Sequence, residues 1–225
     1  MTCQTQIEAA CNGTITPAIR EVAAAEFLGA EQVRHGVAEG RVVIPANPRH
    51  NRLKPIGIGR MLRTKINANI GNSAESGDLA GELEKLDLAV KYGSDAVMDL
   101  STGPRIDEIR AGIVAHSTVP IGTVPIYQAL SLVDDPMDLT ADLLLQVIES
   151  QAKQGVDFMT IHAGLLRAQI PAAKKRLVGI VSRGGSILAK WMARHQQENP
   201  LYVHFDRVLE ICRAHDVTLS LGDGL

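Results

Sequence analysis

Phe, Tyr and Trp together supply only 3% of the 225 residues. A core built without aromatics must rest on Val, Ile, Leu and Ala, which suit strands buried on both faces of a parallel sheet. Cysteine is scarce as well. The odd count and wide spacing of Cys3, Cys11 and Cys212 speak against a disulfide framework and for a reducing, cytoplasmic setting. With no Cys-x-x-Cys, an iron–sulfur site cannot be assembled from these residues alone. Neither sign of charge dominates: 23 Lys and Arg against 25 Asp and Glu leave a net charge of -2. That argues against a nucleic-acid partner, and the local Lys174-Lys175-Arg176 cluster reads as a solvated turn. No apolar run approaches a membrane span, and the opening Met-Thr-Cys-Gln-Thr-Gln-Ile-Glu lacks the pattern of a secretory signal. What is present is an ordinary globular mixture, 45% apolar and 21% charged, with enough chain for one sizeable domain or most of a larger one.

Two textures divide the chain. Residues 1–60 are irregular, with short helical patterns at 19–27 and 30–39, an apolar Val42-Val43-Ile44, and a proline-bearing loop at 45–55. From about residue 61 strand and helix patterns alternate. Strands are expected at 64–71, 96–100, 119–124, 158–162, 177–182 and 217–221. Helices are expected at 78–92, around Ile106, Ile109 and Ile113, after a cap at Asp138 or Thr140, at 186–195 and at 202–215. Such alternation with short connections implies an α/β fold with a parallel sheet, either doubly wound or closed as a barrel. About six strands fit a (β/α)8 TIM-type barrel that is incomplete in this chain, at 61–225, behind an irregular helical region at 1–60.

Both architectures put chemistry at the carboxyl ends of the strands. Each expected strand there ends in polar residues close to glycine: Asn69, Met98-Asp99, Gly122 through Tyr127, His162, Ser182-Arg183-Gly184, and Asp223. Glycine admits a close backbone approach and the polar groups give directed hydrogen bonds. Ser182-Arg183-Gly184-Gly185-Ser186 joins a strand to a helix. Free N–H groups and the helix dipole would favour an anion there, and Arg183 adds a forked positive charge; this is a phosphate cradle, or else a tight turn with a surface arginine. His162 reads equally as a core histidine, Asn69 as a turn residue, Tyr127 and Met98 as packing, and Asp223 as a cap. The other six histidines show no metal-like pairing with cysteine, and Gly57-Ile58-Gly59, which precedes a strand, is not a dinucleotide fingerprint.

Longer strings carry a family resemblance. Ile44-Pro45-Ala46-Asn47, the run from Lys65 through Ser73, Val97-Met98-Asp99-Leu100-Ser101-Thr102-Gly103, and the run from Pro120 through Gln128 occur in order. Thr160-Ile161-His162-Ala163-Gly164, the run from Gly179 through Ser186, and Ser220-Leu221-Gly222-Asp223-Gly224-Leu225 follow. Together they resemble the phosphomethylpyrimidine synthase family over nearly the whole chain. The resemblance implies a (β/α) barrel and an atypical radical S-adenosylmethionine lyase of thiamine biosynthesis. That lyase rearranges 5-aminoimidazole ribotide into 4-amino-5-hydroxymethyl-2-methylpyrimidine phosphate. It implies substrate contacts at Asn69, Met98, Tyr127, His162, Ser182, Arg183, Gly184 and Asp223, with the imidazole among the first three and the phosphate at Ser182-Arg183-Gly184. It also implies a homodimer.

The family's zinc histidines and its 4Fe-4S cysteine triplet come later than Asp223, so their ligands are expected beyond Leu225. These 225 residues are therefore expected to be the N-terminal, substrate-binding portion, inactive alone. A related radical enzyme, 5-hydroxybenzimidazole synthase, uses the same ribotide and is the near alternative. A non-catalytic ribotide-binding fragment is the alternative of another class.

Overall fold

In the computed structural model, which describes residues 4–73 and 78–225, three short helices lead the chain: α1 (Gln6–Cys11), α2 (Pro17–Ala25) and α3 (Ala30–Ala38). Local chemistry starts the first two. Thr5 and Glu8 form a reciprocal capping box on α1, and Thr16 caps α2 with Pro17 in its first turn. Their apolar stripes bury Ile19, Val22, Val33 and Val37 against Val42 and Ile44, a core of their own. The apolar run Val42-Val43 forms β1 (Val42–Val43), which pairs antiparallel with β2 (Ile58–Gly59).

The alternating part follows as β3 (Asn67–Ile70), α4 (Leu79–Lys91), β4 (Ala96–Asp99), α5 (Ile106–His116), β5 (Ile121–Thr123), α6 (Pro125–Ser131) and α7 (Ala141–Gln154). Then come β6 (Phe158–Ile161), α8 (Ile170–Ala173), α9 (Arg183–His195), α10 (Pro200–Val203), α11 (Phe205–His215) and β7 (Thr218–Leu221). The five strands β3 to β7 lie side by side in chain order, every pair parallel. Asp78 caps α4, and of the two candidates before α7 it is Thr140 whose hydroxyl accepts from Leu143 N–H.

One expectation is corrected. Residues 177–182 are not a strand: Leu177, Val178 and Val181 are largely exposed, Gly179 turns the chain at φ +63°, and β6 pairs directly with β7. A short apolar run does not by itself distinguish a buried strand from an exposed turn. Among the described residues the parallel sheet therefore has five strands, not six. After β5 lies a helix for which no element had been expected. Pro125 opens α6 there, its missing N–H costing nothing in a first turn.

The two faces of the sheet differ. Register places Ile70, Asp99, Thr123 and Met159 in one row, with Val97 and Ile121 before them. All six are buried under the helices. The alternate residues share the other face: Asn69 pairs with Met98, Met98 with Gly122, Gly122 with Phe158, and Phe158 with Thr218. There Asn67, Asn69 and Ser220 are exposed and Met98, Phe158 and Thr160 half-buried. Parallel sheets normally bury both faces; this one presents an open face of mixed amide, hydroxyl and apolar groups.

At the opposite, amino end of the strands, a buried pair fastens the 45–55 loop. His50 Nδ1 meets Asp157 Oδ2 at 2.7 Å and His50 Nε2 meets the Ser117 carbonyl at 3.0 Å. Asp157 also accepts from Asn47 N–H at 2.9 Å and Ile121 N–H at 2.7 Å. Both side chains are fully buried.

Candidate strand-end site

Helix α9 organises one end of the sheet. Ser182 is its N-cap, accepting from Gly185 N–H at 3.1 Å. That bond satisfies one donor of the first turn and leaves the Arg183 and Gly184 N–H groups at the helix start, where the dipole favours an anion. Ser182 N–H in turn donates to the Leu225 carbonyl at 3.0 Å, which brings the segment after β7 against this helix start. Gly185 faces the Gly224 backbone so closely that no side chain fits between them.

His162 follows β6 directly and is 8% exposed. Its Nδ1 is buried without a hydrogen-bond partner. Burial lowers its pKa against the opposing pull of Asp223, so the imidazole is neutral near pH 7, with one ring nitrogen unpaired. An unmet buried polar atom costs about 1–3 kcal/mol, and such groups are held for a reason. The ring rests against Gly184: a Cβ there would stand 2.8 Å from it. Gly184→Ala is therefore expected to displace His162 or α9 and to destabilise by about 1–3 kcal/mol, as overpacking does. A thermal melt checks it, and an unchanged midpoint would mean that the ring moves freely.

Arg183 lies over the Tyr127 ring, guanidinium carbon 5.1 Å from the centroid, a cation–π stack. Tyr127 sits in the first turn of α6, immediately beyond β5. Asp223 is exposed, and its Oδ1 accepts from Leu225 N–H at 2.8 Å, holding the turn after β7. The sequence-expected residues thus fall into two groups. Tyr127, His162, Ser182, Arg183, Gly184 and Asp223 meet around the start of α9. Asn69 and Met98 sit on the open face, paired across β3 and β4. Four surface cavities of about 390 to 690 Å³ are lined by none of these eight residues.

Two neighbours escaped the sequence reading. Asn67 donates to Asn69 Oδ1 at 2.9 Å on the open face. The Phe158 ring lies across Gly122, where a Cβ would overlap it. The alternation Phe158, Thr160, His162 was the available signal, since a period of two puts all three on one face.

Among the described residues no group of three or more His, Cys, Asp or Glu is placed to hold an ion. Cys11 is exposed, while Cys212 is buried, its thiol pushed up to about 12 by burial. The described residues do not fit an iron–sulfur cluster or a zinc ion. No helix among them is long and apolar enough to cross a membrane.

A parallel α/β sheet thus carries a helix start, a stacked arginine and an unpaired histidine gathered at its strand ends, the region where α/β folds place their ligand sites. Comparison with known proteins narrows the class. Residues 5–225 match the model of the Radical SAM ThiC family, and the chain belongs to that family. It is 57% identical to a phosphomethylpyrimidine synthase of Halobacterium salinarum over 98% of this chain and 46% of that protein. It is 58% identical to that of Haloarcula marismortui and 56% to that of Natronomonas pharaonis, with the same coverage. The chain spans about half the length of these curated relatives.

Proposed function

We propose that this chain supplies the substrate-binding half of a radical S-adenosylmethionine lyase of thiamine biosynthesis, one that converts 5-aminoimidazole ribotide into 4-amino-5-hydroxymethyl-2-methylpyrimidine phosphate. The observation that carries the reading is the meeting of the α9 start, Arg183, Tyr127 and the unpaired His162, in a chain of this family. A phosphate at Ser182-Arg183-Gly184 would take the free N–H groups and the guanidinium. The imidazole would lie toward Asn69, Met98 and Tyr127, with Asp223 facing the ribose.

The strand order supports a (β/α)8 barrel as the complete fold. A doubly wound sheet reverses its order at a switch point; here β3 to β7 run in sequence, and the buried helices cover one face. The open polar face would then be barrel interior, with residues 1–60 an appended helical region. S-adenosylmethionine and a 4Fe-4S cluster enter through the family, and zinc through the resemblance; their ligands would come from later in the full-length protein. A cytoplasmic homodimer completes the reading.

The deciding experiment feeds isotope-labelled 5-aminoimidazole ribotide to the reconstituted full-length enzyme and identifies the product. The phosphorylated hydroxymethylpyrimidine is expected. A 5-hydroxybenzimidazole product would reassign the reaction, and no turnover or binding of the ribotide would end the proposal.

A further inference from the structure

Behind Tyr127, on the buried side of the sheet, runs a row of side-chain amides that the proposed chemistry does not use. Tyr127 and Gln128 are adjacent on α6 and point in different directions. Tyr127 goes to Arg183, while Gln128 is 6% exposed and enters the helix layer. Gln128 Oε1 accepts from Gln151 Nε2 of α7 at 2.8 Å. Gln151 Oε1 accepts from Thr123 Oγ1, the last residue of β5, at 2.6 Å. Thr123 and Gln128 bracket the β5–α6 junction, so Gln151 clamps the short segment that carries Tyr127 from both sides. Both groups of the Gln151 amide are used, and it is 1% exposed.

The row continues toward the neighbouring strand ends. Gln128 Nε2 donates to Asp107 Oδ1 at 3.0 Å, which also accepts from Gln154 Nε2 at 3.0 Å. Gln154 Oε1 accepts from Arg110 at 2.9 Å. Arg110 Nε lies 3.7 Å from Asp99 Oδ2, next to Met98. Asp99 Oδ1 holds Ser101 N–H at 2.9 Å, and Ser101 Oγ accepts from Asn72 N–H at 3.1 Å, just beyond β3. One polar row, hydrogen-bonded except at the Arg110–Asp99 ion pair, thus runs along the ends of β3, β4 and β5, the elements that bear Asn69, Met98 and Tyr127.

Resting on the site reading above, we propose that Gln151, with Thr123 and Gln128, is a positioning residue that fixes Tyr127 for the heterocyclic ring of the ribotide. Buried amides are costly unless paired, and Gln151 and Gln128 each use both their oxygen and their NH₂. A hydrophobic residue at 151 would pack α6 as well, yet it would not set its rotation. The row acts first on the ring end of the ligand; the phosphate end is held by α9.

A double-mutant cycle in the full-length holoenzyme tests this, reading the Kd for 5-aminoimidazole ribotide. Gln151→Leu is expected to weaken binding about tenfold, and Gln151→Leu with Tyr127→Ala to be no weaker than Tyr127→Ala alone, since coupled residues are not additive. Affinity for ribose 5-phosphate, which lacks the ring, should fall by much less under Gln151→Leu than affinity for the ribotide. If Gln151→Leu fails to fold, Thr123→Val carries the same cycle with a smaller volume change. Additive effects, or equal loss of ribose 5-phosphate binding, would overturn the positioning role while leaving the site intact. Tyr127→Ala with unaltered ribotide affinity would overturn the site reading itself, and the positioning role with it.

Discussion

Asp157→Asn is expected to destabilise the protein by about 3–5 kcal/mol, the cost of breaking a fully buried pair while its partner stays charged. The arrangement explains the size. Asp157 accepts three donors, His50 Nδ1, Ile121 N–H and Asn47 N–H. An asparagine would have to aim its NH₂ at one of them. The backbone of this residue is fully paired too: Asp157 N–H donates to Ile121 C=O and Asp157 C=O accepts from Thr218 N–H, both at 2.9 Å. One residue therefore joins β5, β6, β7 and the 45–55 loop. At about 2–4 °C per kcal/mol for a domain of this size, thermal unfolding would show the loss plainly, and an unchanged midpoint would refute it.

The same pair sets a pH dependence. His50 has an acceptor at each ring nitrogen, a carboxylate and a carbonyl, which only the doubly protonated ring can satisfy. Burial works against that charge, but the Asp157 carboxylate and the Ser117 carbonyl outweigh it and raise the His50 pKa above 6.5. A histidine raised on folding adds stability that is complete below its ordinary value and lost as pH climbs through the folded one. Melting temperature should thus fall from pH 6.5 upward, and His50→Gln should remove that slope while lowering stability at acid pH.

What could be read in advance, and what could not, divides along sequence distance. Helices α4, α7 and α11 stand where apolar residues recur at helical spacing, and the strands beside them end in the glycine-rich polar strings that marked the site. Those signals are local. His50 and Asp157 are 107 residues apart, and nothing near either announces the other. Gln151 looks like any helix glutamine until topology sets it beside Thr123 and Gln128. The segment at 177–182 misled for a related reason: its apolar residues match a buried strand in composition, and only the β6–β7 pairing shows that the place between those strands is not open to it. His162 was ambiguous in isolation; Gly184 against its ring and a buried Nδ1 without a partner are features no local pattern announced.

Arg183→Ala is expected to weaken the binding of 5-aminoimidazole ribotide by about 1.5–3 kcal/mol, the contribution of a charge-assisted hydrogen bond, or roughly tenfold to over a hundredfold in Kd. The guanidinium is exposed and stacked on Tyr127, so it is preorganised by the ring without being consumed by a carboxylate. Its removal leaves no buried charge behind and little change in fold stability should follow. Arg183→Lys keeps the charge but loses both the planar stack and the fork, and should recover only part of the affinity. The dephosphorylated riboside separates the contributions. If Arg183 grips the phosphate, alanine there should barely alter riboside affinity while the ribotide suffers. If both ligands weaken equally, Arg183 acts through Tyr127 on the ring, and the start of α9 is not the phosphate cradle. Rising salt should weaken the wild-type interaction more than the alanine variant's, because the pair at the helix start is solvent-accessible and screened.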